Sequence, residues 1–308
     1  MQIINGFHNT QQILGPVVAT IGNFDGVHLG HQAILERLHK KARQLNLASM
    51  LITFEPSPQE FFLATNAPAR LTRLREKLRL LQTAELDYVV VLLFDERLSS
   101  QTAEQFAVKS LRQDLQVKYL LVGDDFRFGR NRLGDFSLLQ AMADGKDFIV
   151  ENMPTVKLHT ERVSSSRIRS ALESGELTTA ERLLGRPYSM LGRVALGQQR
   201  GRTIGFPTAN VFLKRHRSPV LGVYAVKVYG LDRDVIYGVA NVGNRPTVDG
   251  TRSLLEIHLF DFNEDIYGRH IQVEFCHKIR NEQRFDNFVL LKQQIAKDAI
   301  VAQQFFQG

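Results

Sequence analysis

Cysteine is nearly absent from this chain of 308 residues: only Cys276 is present. One cysteine cannot build an internal disulfide framework or a cysteine-rich zinc module, and it points to a reducing compartment. Long apolar runs are missing too. The longest, Tyr88-Val-Val-Val-Leu-Leu-Phe94, falls far short of the ~20 residues that span a bilayer, and its β-branched content predicts a buried strand. The first residues, Met1-Gln-Ile-Ile-Asn-Gly, lack a basic segment followed by an apolar one, so no secretory signal is read. A soluble, cytoplasmic protein is expected. There is no internal repeat and no low-complexity segment, and 44% hydrophobic with 23% charged residues excludes wholesale disorder. Three nucleotide or metal signatures are also missing. No Gly-x-x-x-x-Gly-Lys-Ser/Thr occurs, no Gly-x-Gly-x-x-Gly follows the first strong strand, and no His-Glu-x-x-His is found.

What is present falls into two grammars. Up to about residue 150, apolar strands at 17–21, 50–54, 88–93 and 119–122 alternate with helical periods at 32–45, 71–81 and 102–111. Such alternation predicts an open parallel sheet with helices on both faces, its ligands beyond the carboxyl ends of the strands where strand order reverses. After about residue 185, six glycine-punctuated strands are expected at 191–196, 208–213, 222–229, 235–242, 254–260 and 271–278. Short strands in that number suggest a small closed barrel. A last amphipathic helix, 286–305, closes the chain with Asp286 as its expected N-cap. Gly185-Arg186-Pro187 marks the break, giving domains 1–186 and 187–308.

The formal charge is +7, which suits nucleic acid, a membrane surface or small anions. Cut after Arg186, the two parts carry +2 and +5. Their basic residues are dispersed and no aromatic-rich RNA-binding signature occurs, so a nucleic-acid-binding protein is the weaker alternative.

Three segments carry chemistry. In Thr20-Ile-Gly-Asn-Phe-Asp-Gly-Val-His-Leu-Gly-His-Gln32 a strand runs through three glycines into a helix. That geometry offers backbone N–H groups and a positive helix end to an anion, with His28 and His31 spaced to reach the same phosphate. Gly123-Asp-Asp-Phe-Arg-Phe-Gly-Arg-Asn-Arg132 follows the strand at 119–122 and so lies at the same sheet edge. Val163-Ser-Ser-Ser-Arg-Ile-Arg169 enters another helix, with serines to cap it and arginines to clamp phosphate oxygens.

These segments resemble the bacterial bifunctional riboflavin kinase/FMN adenylyltransferase (FAD synthetase) family. Gly22-Asn-Phe-Asp-Gly-Val-His-Leu-Gly-His31 is similar to the His-x-Gly-His signature of nucleotidyltransferases. Thr53-Phe-Glu-Pro56, the Arg70–Lys77 stretch, Gly123–Gly129 and Ser164–Arg169 follow in the family's order. In the second half, Gly201-Arg-x-x-Gly-Phe-Pro-Thr-Ala-Asn210 resembles the flavokinase signature, and Gly238–Thr247 and Asp265-x-Tyr-Gly268 extend the likeness.

The resemblance implies a Rossmann-like adenylyltransferase domain and a six-stranded riboflavin kinase barrel. Riboflavin is phosphorylated by ATP to FMN, and AMP is then transferred from ATP to FMN, giving FAD and pyrophosphate. It implies catalytic roles for His28, His31, Asn210 and Glu256. It implies ATP or phosphate contacts for Gly22, Phe24, Gly30, Ser164, Ser165, Arg169, Gly201, Gly205 and Thr208. Flavin contacts are implied for Asp125, Arg127 and Arg284, and Mg²⁺ ligation for Thr208 and Asn210. FMN and FAD enter as substrate and product, not as prosthetic groups, in a monomer or weak homo-oligomer with no nucleic-acid or membrane partner. Four positions depart from the family pattern: Ser57, where histidine is usual; Asn131, where a basic residue is frequent; Ser166, in place of a common threonine; and Val163, in place of isoleucine. A chain with only its kinase module active is the alternative within the same family.

Overall fold

The computed structural model describes residues 1–143, 147–158, 160–195, 207–213, 215–247 and 250–308, without the side chains of 244–247 and 250–252. The chain divides into two compact units. The first comprises 1–68 and 77–164, the second 69–76 and 165–308.

The first unit is built on β1 (Gln2–Asn5), β2 (Val17–Ile21), β3 (Ala48–Glu55), β4 (Tyr88–Leu93), β5 (Val117–Gly123) and β6 (Ile149–Met153). They form one sheet in the order β1-β4-β3-β2-β5-β6, every pair parallel. β2 is central and all five of its residues are buried, as a strand covered on both faces requires. Strand order reverses between β2 and β5, the strands whose carboxyl ends feed the histidine loop and the 123–132 segment.

The first helix, α1 (Leu29–Leu45), turns Leu35, Leu38 and Ala42 to the core. α2 (Pro58–Leu63) and α3 (Leu74–Leu81) follow β3. The expected helix at 71–81 therefore starts three residues late. After β4 come α4 (Glu96–Ser99) and α5 (Ala103–Gln105). The latter runs on as a π-helix over Phe106–Asp114, a winding that a 3.6-residue period does not anticipate. α6 (Phe136–Met142) precedes β6. β7 (Lys157–Leu158) and β8 (Glu161–Arg162) make a small hairpin. β1 and β6 at the sheet edges were not expected; both are short and mix polar with apolar residues.

The second unit opens with α7 (Ser165–Ser174) and α8 (Leu177–Leu184). Its barrel comprises β9 (Ser189–Ala195), β10 (Ala209–Phe212), β11 (Gly222–Tyr229), β12 (Ile236–Thr247), β13 (Gly250–Leu259) and β14 (His270–Arg280). The strands close in the order β10-β13-β12-β11-β14-β9, all antiparallel. All six expected strands are present, and closure removes the sheet edges. The C-terminal helix, Phe288–Gln307, lays Ala299 and Ala302 against Val223, Ala225 and Val239. Its N-cap is Asn287, whose side-chain oxygen accepts from Leu290 N at 3.0 Å, and not Asp286 as expected. Arg280 ties β14 to this helix through the buried Asp298 carboxylate at 2.7 Å.

Residues 69–76 belong to the second unit through a buried polar knot. The Arg215 guanidinium, 1% exposed, pairs with Glu76 at 2.5 Å. It also donates to the carbonyls of Arg70 and Leu71 at 2.6 and 3.2 Å. Glu76 accepts further from Leu191 N at 2.8 Å and Arg73 N at 2.6 Å. A buried ion pair needs such additional donors to offset its desolvation.

Candidate functional site

Two polar constellations stand out, one in each unit. In the first, the chain leaves β2 and climbs through residues 22–28 to α1. Phe24 and Val27 sit at positive φ of 48° and 42°, beside Gly26 at 84°. The turn is held from outside by Gln32, whose side-chain amide donates to Val27 O at 2.9 Å. From inside, buried Lys77 donates to Thr53 Oγ1 at 3.2 Å, and Thr53 Oγ1 donates to Asn23 O at 3.3 Å. The Arg70–Lys77 stretch thus supports the loop through its last residue.

His28 is the N-cap of α1, and its Nδ1 accepts from the backbone N–H of His31 at 3.2 Å. A nitrogen that accepts carries no proton, so the imidazole is the tautomer protonated on Nε2. The histidine spacing brings both rings together as expected. They stack at 3.6 Å and 14°, and Phe24 stacks on the other face of His31 at 4.5 Å. Gly30 leaves room for this packing: a Cβ there would come to 3.1 Å from His28 Nδ1, so the ring would have to give way. Gly22 and Phe24 lie in the same loop. The result is a short aromatic stack beside a helix N-terminus at the topological switch of the sheet, a place where anions bind.

Other first-unit residues are engaged differently. Exposed Asp125 pairs with Arg162, and exposed Arg127 with Asp135 at 3.3 Å. The neighbouring Asp124 takes the hydroxyl of Thr155 at 2.7 Å; that bond, outweighing burial, holds the Asp124 carboxyl below its ordinary range. Asn131 sits in a left-handed turn, φ 57°, which asparagine tolerates well. Ser57 caps α2, its hydroxyl accepting from Glu60 N while Glu60 accepts from Ser57 N at 3.0 Å. This capping box gives the unusual serine a local purpose. Ser164 closes the first unit.

The sequence reading missed an aromatic cluster at the carboxyl ends of β3 and β4. Phe54, Phe61, Phe62 and Phe94 meet edge to face at 5.1–5.7 Å, with Phe62 64% exposed. The adjacent pair Phe61-Phe62, just after Thr53-Phe-Glu-Pro56, was the available signal.

In the second unit, Ser165 begins α7, and Arg169 on that helix donates through Nε to Ala69 O at 2.6 Å. In the barrel, Asn210 on β10 lies directly across from Glu256 on β13, and Asn241 on β12 lies across from Glu256 on its other side. Directly opposed residues share a face, so a carboxylate stands between two carboxamides. Asn210 is buried; Glu256 and Asn241 are half-buried. Sequence reasoning named Asn210 and Glu256 but not Asn241, whose place needs the register. Thr208 precedes β10 by one residue and shares Asn210's face. Arg284 is exposed in the segment between β14 and the C-terminal helix, where Arg280 lies over the Phe285 ring at 5.7 Å. Gly201 and Gly205 lie outside the described residues. Among those described, no cluster of three or more His, Cys, Asp or Glu side chains is arranged to hold a metal.

The FAD synthetase family model matches residues 10–167 and the riboflavin kinase model residues 184–306. The chain belongs to the bifunctional riboflavin kinase/FMN adenylyltransferase family. Among its relatives of that name, the one from Haemophilus influenzae is 50% identical over 308 residues, 100% of both chains. That of Escherichia coli K12 is 52% identical over 307 residues, covering 99% of this chain and 98% of the other. That of Pseudomonas fluorescens is 47% identical over 306 residues, covering 98% and 97%. A crystal structure from Streptococcus pneumoniae, titled a macrolide-efflux protein, superposes with a TM-score of 0.81 at 31% identity, covering 98% of this chain and 99% of that one. Among the described residues of this family member, no helix is long and apolar enough to cross a membrane.

Proposed function

We propose that the two activities of the family are divided between the two polar constellations. The chain phosphorylates riboflavin with ATP to give FMN, then transfers AMP from ATP to FMN to give FAD and pyrophosphate. Residues 1–186 are assigned to adenylyl transfer and 187–308 to the kinase; the riboflavin kinase match, which begins at 184, two residues before that cut, supports a division close to it.

For adenylyl transfer, a phosphate oxygen of FMN attacks the α-phosphorus of ATP, and the bond to the β-phosphate oxygen breaks to release pyrophosphate. Negative charge builds on the reacting phosphorus and the leaving group, so catalysis is largely positioning and charge stabilisation. The observation that carries this reading is the His28–His31 stack at the start of α1. Nδ1 is committed to the helix, and the protonated Nε2 is the His28 group assigned here to a phosphate oxygen, near the first N–H groups of the helix. Neither histidine is assigned as a nucleophile. Ser164, Ser165 and Arg169 are assigned to the β- and γ-phosphates. Asp125 and Arg127 are assigned to nucleotide or flavin, exchanging their present ion pairs for ligand contacts. The exposed Phe62 edge of the aromatic cluster suits a planar, aromatic flavin ring.

For the kinase, the ribityl 5′-hydroxyl attacks the γ-phosphorus of ATP, ADP leaves, and Glu256 accepts the hydroxyl proton as the P–O bond forms. The Thr208 hydroxyl and Asn210 carbonyl are hard, neutral oxygen donors of the kind that would hold Mg²⁺. Held there, Mg²⁺ would supply charge neutralisation for the transferring phosphoryl group. Arg284 is assigned to the flavin side. The partners are ATP, riboflavin, FMN and FAD, and the enzyme is placed in the cytoplasm.

The test is a double dissociation in one chain. His28→Ala is expected to cut FAD formation at least about a hundredfold while sparing FMN formation. Glu256→Gln is expected to abolish FMN formation while supplied FMN is still adenylylated. Equal loss of both activities in either variant refutes the division.

A further inference from the structure

Glu256 and His258 are two residues apart on β13, so both side chains leave the same face of the strand. In the β10–β13 ladder, Asn210 faces Glu256 and Ala209 faces Ile257, the last pair at that end. The next residue out, Thr208, therefore lies across from His258, beyond the ladder and without its backbone bonds. Its predecessor Pro207 has no N–H to contribute. What reaches this turn is a side chain: His258 Nδ1 lies 2.9 Å from the Pro207 carbonyl oxygen. A carbonyl can only accept, so Nδ1 carries the proton and the ring donates. Phe260, the next residue on the same face, stands edge-on to the imidazole at 5.9 Å and limits its swing.

We propose that His258 is a positioning residue for riboflavin phosphorylation, its Nδ1–H holding the Pro207 carbonyl so that Thr208 is presented beside Asn210 and Glu256. The inference rests on the kinase reading given above. β13 is paired on both sides, to β10 and β12, and so is a rigid ruler for the site. Glu256 is placed by that strand directly. His258 carries the same frame across to the turn before β10. Phosphoryl transfer tolerates misplacement of only about 0.5 Å in such groups, and a turn outside the ladder needs a separate anchor to meet that tolerance.

The experiment compares His258→Leu, which removes the donor, with His258→Asn, whose amide nitrogen sits near the place of Nδ1. Both are made in the full chain. Riboflavin phosphorylation is measured across a Mg²⁺ titration, and adenylylation of supplied FMN serves as the internal control. Hydrogen–deuterium exchange is followed in the peptide spanning 207–213. His258→Leu is expected to lower the kinase kcat about tenfold, the net worth of one hydrogen bond lost at the transition state. It should raise the Mg²⁺ concentration for half-maximal rate, quicken exchange in the turn, and leave riboflavin KM and FMN adenylylation near wild type. His258→Asn should restore both kcat and protection. The proposal is overturned if His258→Leu keeps its kinase rate, if exchange in the turn does not change, or if a folded His258→Asn fails to restore. Should His258→Leu not fold, His258→Asn decides alone: near-native rate and protection support the role, a slow unprotected turn overturns it. Failure of the kinase reading looks different. Glu256→Gln would then retain phosphorylation while the exchange effects of the His258 variants persist.

Discussion

Removing Arg215 tests how the second unit holds residues 69–76. Its guanidinium is 1% exposed and faces a Glu76 carboxylate 5% exposed at 2.5 Å. Arg215→Met keeps the volume and deletes the charge. The variant strands a buried carboxylate and withdraws donors from the carbonyls of Arg70 and Leu71. Breaking a buried pair from one side costs about 3–5 kcal/mol. Here the low end, about 3 kcal/mol, is expected, because Arg73 still stands 3.6 Å from Glu76 and two backbone N–H groups still donate to it. Burial lowers the Arg73 pKa, with Glu76 opposing that shift, and the guanidinium remains a charged partner. Urea unfolding followed by circular dichroism reads the effect, with the units fitted as separate transitions because a two-unit chain is not two-state. At a slope of about 2–3 kcal/mol/M the second unit's midpoint should fall by about 1 M or more. Arg215→Met combined with Glu76→Gln removes both charges and should recover part of the loss. A single-variant loss under about 1 kcal/mol, or a double variant worse than the single, refutes the reasoning.

Two other expectations follow from the first unit. Phe62→Ala should raise the FMN KM for adenylylation about tenfold, the worth of one aromatic stack, without touching riboflavin phosphorylation; an unchanged KM removes Phe62 from the flavin reading. Glu151 supports an acid-sensitive contribution to stability. Burial pushes its carboxyl up, but hydrogen bonds from Arg37 at 2.8 Å and from Tyr119 outweigh this, and the net direction is down. A carboxyl depressed in the folded state stabilises above its unfolded pKa of about 4.3, and that contribution is lost as pH falls through the folded value. Glu151→Gln should therefore flatten the decline of first-unit stability below about pH 5, and an unchanged acid limb would remove Glu151 from the account.

Much of this was legible beforehand where one face or a whole strand is buried. The run at 17–21 is strand from end to end because both faces of β2 are covered. The six barrel strands announce themselves by short apolar stretches between glycines. Edge strands do not: Gln2–Asn5 buries only Ile4 and leaves no alternation to read. Residues 69–76 were assigned by proximity along the chain, yet Glu76 finds its partner 139 positions away. Separations of that kind have no local signature. The site divides in the same way. His28, His31, Asn210 and Glu256 stand in motifs, whereas Asn241 and His258 matter through cross-strand register and one carbonyl contact.

The capping of α1 by His28 also closes a route that engineers commonly take. Serine, aspartate or asparagine at this position would end the helix as well as or better than histidine. Each would satisfy the His31 N–H and keep the fold, and each would remove the imidazole to which the proposed adenylyl transfer gives a role. A stability-guided redesign of this loop would thus be drawn toward substitutions that hold the helix and, under the role proposed for His28, make no FAD. Under the role proposed for residue 28, an imidazole serves the helix through Nδ1 and leaves Nε2 to the chemistry assigned to it.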